Sequence, residues 1–578
     1  MAKIKITPVI AISIAVSSVF FFFYPAIFFD FVWDDVTYFN ITSTHLNPDY
    51  NLDALTKPFL VSHNYYRPLV TLWLYAEADL TNTSTISMHL TNIILHCLNV
   101  ALVGYLIKLL YLHINKKINS HTILIGCIFF GLHPATIEVA AWISGRFDLV
   151  LTTFLLIALV LDLKIINKVA RAISVGVCFL LAALCKEMAL GFALALPIWH
   201  LIVYAPQLEI KNIKRFLHSK QFAVYSAIFI SGLVYLSIRQ FALGYIYLPS
   251  SNTANHDLIN SIMLSAKSLG LYLQILIIPF TNLSPIHAES LPISNEDPLA
   301  IFVIALLVLV LILSFFFKNV KSLGLLLSLF ILSLFPVLHF ISMTIGENIV
   351  QGRFLVFPLA WIILATIFLL AKNDETLLKS IKRPINAMVL LILLVNILNT
   401  KVTIPLWTNN LALWSWAVSA KPNSSEANAN LAASLSNYKK YDEALKYIDK
   451  ALDKKKIAKY LTIKGTILGN MGNNKEAEIT LKDSLNYLMH PKDYALTLQK
   501  IATAQLQQNK KEDVLKLLGM AKKITPYSHS LYLRYYQYYI QEKNQELAKS
   551  SLEKAISLSY GEQKSYYTQL LTEQFLSE

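Results

Sequence analysis

Long apolar segments fill most of the first 400 residues, and they constrain the fold more than any other feature of the sequence. Many are about 17–22 residues long, the length that an α-helix needs to cross ~30 Å of hydrocarbon. The chain is 55% hydrophobic and only 15% charged, unlike an ordinary soluble domain. The sequence therefore predicts an all-α fold that begins with a polytopic helical bundle in a membrane.

The basic residues indicate how this bundle is oriented. The formal net charge is +14, but the lysines and arginines of the apolar part cluster in short loops, so they indicate topology rather than nucleic-acid binding. All these loops are cytoplasmic only if segment 262–280 re-enters or lies at the interface, which leaves eleven spans. The predicted spans are about 8–29, 89–111, 121–133, 148–162, 170–185, 188–204, 222–242, 299–317, 322–341, 354–371 and 385–399.

The chain ends then follow from the span count. Two lysines precede the first span, which is too long for a signal peptide, so the N-terminus is expected in the cytoplasm. An odd number of spans places the C-terminal region on the outer face. If 262–280 does span, the loops after it change sides and their lysines lie outside.

The C-terminal region contains a repeat. The segments YDEALKYIDKAL, NKEAEITLKDSL, KEDVLKLLGMAK and NQELAKSSLEKAI align on Ala444, Ala477, Val514 and Ala548, at intervals of 33, 37 and 34 residues. This spacing is typical of the tetratricopeptide repeat, a helix pair that stacks into a solenoid. We therefore predict a membrane domain over 1–400, a linker over 401–424 and about four repeats over 425–578, with an unrelated helical bundle as the alternative.

Polar residues gather in the segments that this topology places outside. The first outer loop, 30–88, contains WDD and HNYYRPL, and the later segments contain HPATIEVAAWISGRFD, CKEM, PFTNLSPIH and GENIVQGRF. Ionisable groups at membrane depth are costly, so each is a functional candidate. The candidates are Asp34, Asp35, His63, Tyr66, Arg67, His133, Glu138, Arg146, Asp148, Lys186, Glu187, Asn282, His287, Glu347 and Arg353.

These residue types indicate a particular chemistry. Two adjacent carboxylates repel each other unless a cation or donors lie close, an arrangement that suits a general base with an assisting neighbour. Arginines and lysines from several loops suit a phosphate or diphosphate. A base and a phosphate clamp at a membrane surface indicate a reaction on a lipid phosphate.

The order of these motifs resembles one family. WDD, YYRPL, LHPATIEVAAWISGRFDLV, CKE, PFTNLSPIH and QGRFLVFP precede the repeats, as in the transmembrane and tetratricopeptide-repeat-containing O-mannosyltransferases and their bacterial relatives, of the GT-C glycosyltransferase superfamily. The resemblance covers about residues 8–400 and 425–560. It departs from the family at Arg353-Phe354-Leu355, where tyrosines usually follow, and in the short repeat array.

The resemblance implies roles for individual residues. Asp34 would be the catalytic base, and Asp35 would assist it or hold a divalent cation, Mg²⁺ or Mn²⁺, if one is used. Donor phosphate would be bound by Arg67, Arg146, Lys186 and Arg353. The supporting residues would be Tyr66, His133, Glu138, Asp148, Glu187 and His287.

Simpler interpretations of the same residues stay open. Arg67 and Arg146 could be interfacial anchors, and Lys186 and Glu187 could neutralise each other in a tight turn. His133 could cap a helix before Pro134. Trp414 and Trp416 are expected to be lipid-facing or interfacial anchors.

The expected function is an inverting transfer from a polyprenyl-phosphate sugar to a periplasmic acceptor, a protein hydroxyl held through the repeats. The protein would lie in a bacterial inner membrane, with the lipid bilayer as a partner and no nucleic acid. One alternative is a glycosyltransferase that modifies a glycan or lipid A during envelope assembly. A non-enzyme alternative is a transporter or an assembly scaffold with a repeat tail.

Overall fold

The computed structural model shows a mainly helical chain. It describes residues 6–35, 55–56, 65–204, 213–246, 258–278, 284–287, 293–340, 348–372, 382–559 and 561–575. The candidates His63, Asn282 and Glu347 lie outside these described residues. By chain contacts the protein divides into two compact units, Met1–Phe29, Thr56–Thr71 and Ile86–Thr408 in the first, and Asp30–Leu55, Leu72–Thr85 and Asn409–Glu578 in the second.

The helices up to residue 408 follow the apolar segments closely. They are α1 Pro8–Phe23, α2 Pro68–Leu80, α3 Thr85–His113, α4 Ser120–Gly131, α5 Ile137–Ala141, α6 Arg146–Lys164, α7 Lys168–Cys185, α8 Ala189–Tyr204, α9 Ile213–Leu217, α10 Lys220–Leu243, α11 Leu258–Ile277, α12 Pro298–Phe316, α13 Lys318–Leu334, α14 Val356–Lys372 and α15 Lys382–Thr403. Short 3₁₀ turns lie between or beside them at Tyr24–Phe28, Pro134–Thr136, Ile143–Gly145, Phe335–Val337, Gly352–Leu355 and Ile404–Trp407.

Seven of the described helices are long and apolar enough to cross a membrane. They are Pro8–Phe28, Thr85–His113, Lys168–Cys185, Lys220–Leu243, Val320–Val337, Gly352–Lys372 and Ala387–Trp407. The bent pair Ser120–Gly131 and Pro134–Ala141 gives an eighth if it counts as one span, and Ala189–Tyr204 and Pro298–Ser314 are apolar but shorter. These helices indicate a membrane protein. The count of eleven stays a prediction, as does the re-entry of 262–280, which coincides with α11.

The bend of 54° in this pair has a cause in the sequence. Pro134 has no backbone N–H, and the residue before a proline is driven out of the helical region. His133 is accordingly extended, with φ −72° and ψ 133°. A short 3₁₀ turn and α5 then continue the chain in a new direction, which places Glu138 at the turned end.

Polar side chains start many of the helices. The Thr7 side chain accepts a hydrogen bond from the N–H of Ile10 at 3.3 Å, and Asp297 accepts one from the N–H of Ala300 at 3.0 Å. Such caps satisfy N–H groups that have no partner within the helix. Packing between α8 and α13 requires a glycine, because a Cβ at Gly191 would overlap the carbonyl oxygen of Ser333.

The second unit contains a series of helices after residue 409. They are α16 Asn410–Ala420, α17 Ser425–Asn437, α18 Tyr441–Lys454, α19 Ala458–Asn470, α20 Asn474–Ser484, α21 Pro491–Gln507, α22 Val514–Ile524, α23 His529–Gln541, α24 Gln545–Ser557 and α25 Gly561–Phe575. The predicted linker 401–424 is therefore mostly helical. All four residues on which the repeat was aligned, Ala444, Ala477, Val514 and Ala548, are completely buried.

The turns inside these helix pairs share one backbone feature. Lys439, Gly472, Asn509 and Lys543 have φ of 60°, 89°, 58° and 57°. Each precedes the aligned buried residue by five positions, so the left-handed residues recur at the same intervals as the sequence repeat. The same left-handed turn thus joins the two helices of each of these pairs.

Hydrogen bonds between neighbouring pairs follow the same period. Asn470 Nδ2 donates to Ser436 Oγ at 3.3 Å, over 34 residues. Lys500 Nζ donates to Thr466 Oγ1 at 2.8 Å, again over 34 residues. Equivalent positions of successive pairs are therefore neighbours, which is the arrangement of a stacked array.

Candidate active site

The acidic pair follows the first apolar helix, in the second unit. Asp35 is completely buried and its Oδ2 accepts a hydrogen bond from the N–H of Val32 at 3.3 Å, whereas Asp34 is half-buried. Trp33, immediately before them, has φ 53°. A bulky residue in this conformation is strained, and such strain is concentrated at functional sites.

Contacts with α16 hold this strained segment in place. The N–H of Trp33 donates to Asn410 Oδ1 at 2.9 Å, and Trp414 Nε1 donates to the same oxygen at 3.3 Å. The rings of Trp33 and Trp414 meet edge to face with centroids 5.3 Å apart. Trp414 is 2% exposed, so its prediction as a lipid-facing or interfacial anchor is wrong.

In the first unit, Asp148 lies at the centre of a network of charged side chains. Asp148 is in the first turn of α6, and Lys186 Nζ donates to both of its oxygens at 2.6 Å. Arg353 Nε lies 3.9 Å from Asp148 Oδ2. Because both partners of the Lys186 pair are almost fully buried, water screens their charges little.

Arg353 extends this network to Glu138 on α5. Its guanidinium pairs with Glu138 Oε1, and its backbone N–H donates to Glu138 Oε2 at 3.0 Å. The guanidinium carbon also lies 4.8 Å from the centroid of the Trp142 ring, which adds a cation–π contact. Glu138 therefore fixes the orientation of Arg353.

A second group of charges lies around Glu187. Arg67 donates to Glu187 Oε2 from Nε at 3.0 Å and from a terminal nitrogen at 2.8 Å. Arg239 on α10 lies 3.9 Å from Glu187 Oε1. The alternative in which Lys186 and Glu187 neutralise each other is wrong, because each pairs with a partner from another segment.

Arg239 belongs to this group but is not among the site residues predicted from the sequence. It is 5% exposed within a predicted span, and an arginine in an apolar segment is a functional candidate by position alone. Arg239 lies in the predicted span 222–242, whereas the predicted site residues all come from the outer segments.

The pKa values of Lys186 and Glu187 follow from burial and from their charged partners. Burial lowers the pKa of the Lys186 ammonium, and Asp148 acts in the opposite direction. Burial acts to raise the pKa of Glu187, but Arg67 and then Arg239 outweigh it, so the carboxyl has a pKa below its ordinary value.

Arg146 occupies a different environment. It is completely buried, its Nε donates to Asn92 Oδ1 at 2.8 Å, and a terminal nitrogen donates to the carbonyl oxygen of Met88 at 2.8 Å. Asn92 and Met88 both belong to α3. Arg146 therefore connects the start of α6 to α3 within the packed interior.

The remaining predicted residues are also buried. His133 Nδ1 accepts from the N–H of Ala135 at 3.2 Å, and its Nε2 lies 3.2 Å from the carbonyl oxygen of Leu276, so His133 caps the turn that follows it. The backbone N–H of His287 donates to Asn348 Oδ1 at 2.6 Å. Tyr66 is 1% exposed.

An open cleft adjoins the charged network. It has about 250 Å³ of empty space, a volume that includes open solvent. Its lining consists of Asp148, Leu151, Thr152, Met188, Ser333, Arg353, Phe354, Phe357 and Pro358. A ligand in this cleft would meet one carboxylate and one guanidinium against an apolar wall.

The described part of this network contains charges of both signs. Arg67, Arg239, Lys186 and Arg353 pair there with Glu187, Asp148 and Glu138. In the described ranges, no three His, Cys, Asp or Glu side chains come together in a way that could hold a metal ion. Guanidinium and ammonium groups such as these are the side chains that bind phosphate in proteins.

Comparison with known proteins gives a partial match. A stretch of 103 residues is 37% identical to a protein O-mannosyl-transferase of Caenorhabditis elegans, and covers 18% of this chain and 14% of that relative. No protein-family model matches the sequence. One stretch of the chain is thus similar to part of a protein O-mannosyl-transferase, and the apolar helices indicate a membrane protein.

Proposed function

We propose that this protein is a GT-C-type membrane glycosyltransferase that transfers a sugar from a polyprenyl-phosphate donor to a protein hydroxyl on the periplasmic side of a bacterial inner membrane. The observation that carries the proposal is the network of charged side chains at Asp148, where Lys186 and Arg353 converge beside a cleft. Fixed cations in a water-poor site stabilise negative charge that develops on a leaving phosphate.

The proposed mechanism divides the work between acid and cations. Asp34 accepts the proton of the acceptor hydroxyl, whose oxygen attacks the anomeric carbon as the bond to the lipid phosphate breaks. Lys186, Arg353 and Arg67 stabilise the departing phosphate. The strained backbone at Trp33 supports a functional role for this segment, because such strain persists only where the surroundings enforce it.

The helix pairs after residue 425 are proposed to be tetratricopeptide repeats that hold a polypeptide acceptor on the outer face. The recurring left-handed turn and the hydrogen bonds over 34 residues support this proposal. Repeat arrays present extended surfaces that bind peptides.

Two alternatives remain. A glycan or lipid A acceptor would leave the same phosphate-binding network in place, and acceptor extracts would distinguish it. A transporter would carry ionisable groups near mid-membrane, between symmetric halves. The position of Asp148, in the first turn of its helix, favours transfer over transport.

The decisive experiment compares Asp34→Asn with wild type in membranes supplied with a radiolabelled polyprenyl-phosphate sugar. Loss of the base is expected to lower transfer by about 10²-fold or more. Asp30→Asn is the matched control, because Asp30 is a nearby exposed acid. Unchanged transfer by Asp34→Asn would show that the base assignment is wrong.

A labelling experiment tests the topology. The four native cysteines are buried, so a membrane-impermeant maleimide would report on introduced ones, at the exposed positions Asn486→Cys and Lys116→Cys. We expect Asn486→Cys to react when only the outer membrane is opened. Lys116→Cys should react only after the inner membrane is opened, and the reverse pattern would contradict the proposed orientation.

A further inference from the structure

Two cations occupy equivalent positions on neighbouring first helices of the pairs. Lys500 on α21 and Arg534 on α23 are 34 residues apart, one repeat interval, and Thr466 on α19 precedes them at the same position. Ser530 Oγ on α23 donates to Gln499 Oε1 on α21 at 2.9 Å, which shows that these helices are in lateral contact. Lys500 and Arg534 therefore lie side by side along one face of the array.

Neither cation is neutralised within the described residues. Lys500 Nζ donates to Thr466 Oγ1 at 2.8 Å, and a terminal nitrogen of Arg534 donates to Gln537 Oε1 at 2.8 Å. Both acceptors are neutral, although an ammonium has three N–H donors and a guanidinium has five. Both side chains are half-buried, so water does not fully compensate for the unused donors.

The electrostatics of the pair agree with this geometry. The pKa of Lys500 is lowered to about 8, first by burial and then by the nearby Arg534, while Asp493 acts in the opposite direction. Burial also lowers the pKa of Arg534. An anion bound at this face would relieve both effects.

In the described part of the chain, other cations of the repeat helices do pair with acids, unlike Lys500 and Arg534. Glu478 accepts from Lys482 at 2.7 Å and from Lys510 at 3.1 Å, so acids are available and are used elsewhere. Residues 409–578 contain 24 Lys and Arg against 17 Asp and Glu. The region therefore has an excess of positive charge, and the two cations Lys500 and Arg534 are half-buried.

We propose that Lys500 and Arg534 form a docking site for an acidic polypeptide segment. Helices in contact lie about 8–10 Å apart, and a peptide in the polyproline II conformation rises about 3.1 Å per residue and brings every third side chain to the same side. Acidic side chains three residues apart thus match the two cations. Each cation is bonded away from the other, Lys500 toward α19 and Arg534 toward the next turn of its own helix, which favours two separate carboxylates over one phosphate.

This proposal deepens the acceptor-binding role proposed for the repeats, and it rests on that role. Its test measures peptide binding and not sugar transfer, so the docking site and the proposed enzymatic function can each be disproved independently. The full-length chain in zwitterionic nanodiscs is titrated against a fluorescein-labelled peptide with glutamates three residues apart, and binding is read as anisotropy. The peptide with Gln in place of Glu is the ligand control, and Asp34→Asn is expected to bind like wild type.

Matched variants locate the site. Lys500→Gln and Arg534→Gln are each expected to weaken binding of the Glu peptide about 10-fold, equivalent to about 1.4 kcal/mol. Lys475→Gln makes the same charge change on the exposed surface of α20 and is expected to stay within about twofold of wild type. Lys500→Arg and Arg534→Lys keep the charge and should retain most of the affinity, which separates binding from misfolding.

Three results would overturn the proposal. The first is equal binding of the Glu and Gln peptides, or no binding of either. The second is wild-type affinity in both Lys500→Gln and Arg534→Gln. The third is competition by inorganic phosphate or a singly phosphorylated peptide as strong as that by the unlabelled Glu peptide, since it would show a site for a single phosphate.

Discussion

Helix α6 carries a buried acid near each of its ends, and the two acids are neutralised in different ways. Near the start, Asp148 bonds Lys186 and approaches Arg353 at 3.9 Å, beside an open cleft. Near the end, Asp162 accepts from Arg171 at 2.7 Å and 2.9 Å. His200 Nε2 and the Tyr204 hydroxyl surround its other oxygen, at 3.3 Å and 3.4 Å.

The difference teaches that a buried charge does not mark an active site by itself. At Asp162 the acid is surrounded by one cation, Arg171, and by His200 and Tyr204. Both of its oxygens therefore have hydrogen-bond partners within the fold.

At Asp148 two cations approach one acid, and one of them, Arg353, also pairs with Glu138. Asp148 and Arg353 line a cleft. A cleft beside the charges, rather than burial of charge, therefore distinguishes the candidate site.

The largest expected effect is on stability at the closed end. Arg171→Met leaves Asp162 buried without its guanidinium, and the free energy of unfolding should fall by about 3–5 kcal/mol. Denaturation of the purified protein in detergent measures it. The double variant Asp162→Leu/Arg171→Met removes both charges and should recover most of the loss. Transfer per folded molecule should be unchanged in Arg171→Met. A clear loss of transfer would show that the Asp162 end also contributes to activity.

The next effect is on activity at the open end. Lys186→Gln removes a fixed cation beside the proposed phosphate position and should reduce transfer per folded molecule by about 10²–10³-fold. The readout is kcat with the labelled polyprenyl-phosphate sugar, normalised to monodisperse protein. Lys186→Arg serves as the control that keeps the charge, and it should retain more activity than Lys186→Gln.

A smaller effect is expected at Glu187, which is 29% exposed between two arginines. Glu187→Gln loosens Arg67 and should reduce kcat/KM by about 10-fold, or about 1.4 kcal/mol. Its effect on stability should depend on pH. Because the pKa of Glu187 lies below its ordinary value, the pair stabilises the protein above the unfolded pKa of about 4.3, and this stabilisation is lost as pH falls through the folded pKa.

That pH dependence is checked by comparing melting temperatures of wild type and Glu187→Gln between pH 7 and pH 3. The difference should be largest at neutral pH and shrink on acidification. A difference that grows toward low pH would contradict the ion pair with Arg67.

The smallest effect is expected at Thr152, between the two ends of α6. Its hydroxyl is buried without a hydrogen-bond partner among the described residues and lines the cleft. Thr152→Val keeps the shape and removes an unsatisfied group, so the free energy of unfolding should change by less than about 0.5 kcal/mol. Chemical denaturation measures it. A loss above about 1 kcal/mol would mean that the hydroxyl is bonded in the folded protein.

Much of this architecture could be predicted from hydropathy and repeat spacing. The apolar segments became helices, and Ala444 and its equivalents are buried as the repeat requires. The pairing of charges could not be predicted, because partners such as Arg353 and Glu138 are 215 residues apart. Sequence identifies an ionisable group at the membrane edge but does not indicate which segment folds against it.

The strained turns were also beyond sequence reasoning. Glycine predicts a left-handed residue, and Gly472 fits that rule. Lys439, Asn509 and Lys543 adopt the same conformation, and only their five-residue offset from the buried position reveals it. Trp33 shows the same limit, because no propensity places a tryptophan at positive φ.

The constant five-residue offset has a consequence for how the array can change its length. From each left-handed residue to the aligned buried residue the spacing never varies, whereas the interval between pairs ranges from 33 to 37 residues. Length is therefore gained or lost between one left-handed turn and the next. The 37-residue interval contains the long helix α21 and the segment 485–490 before it. Insertions of a few residues are therefore expected between the pairs or within their helices, where they leave the turn inside each pair unchanged.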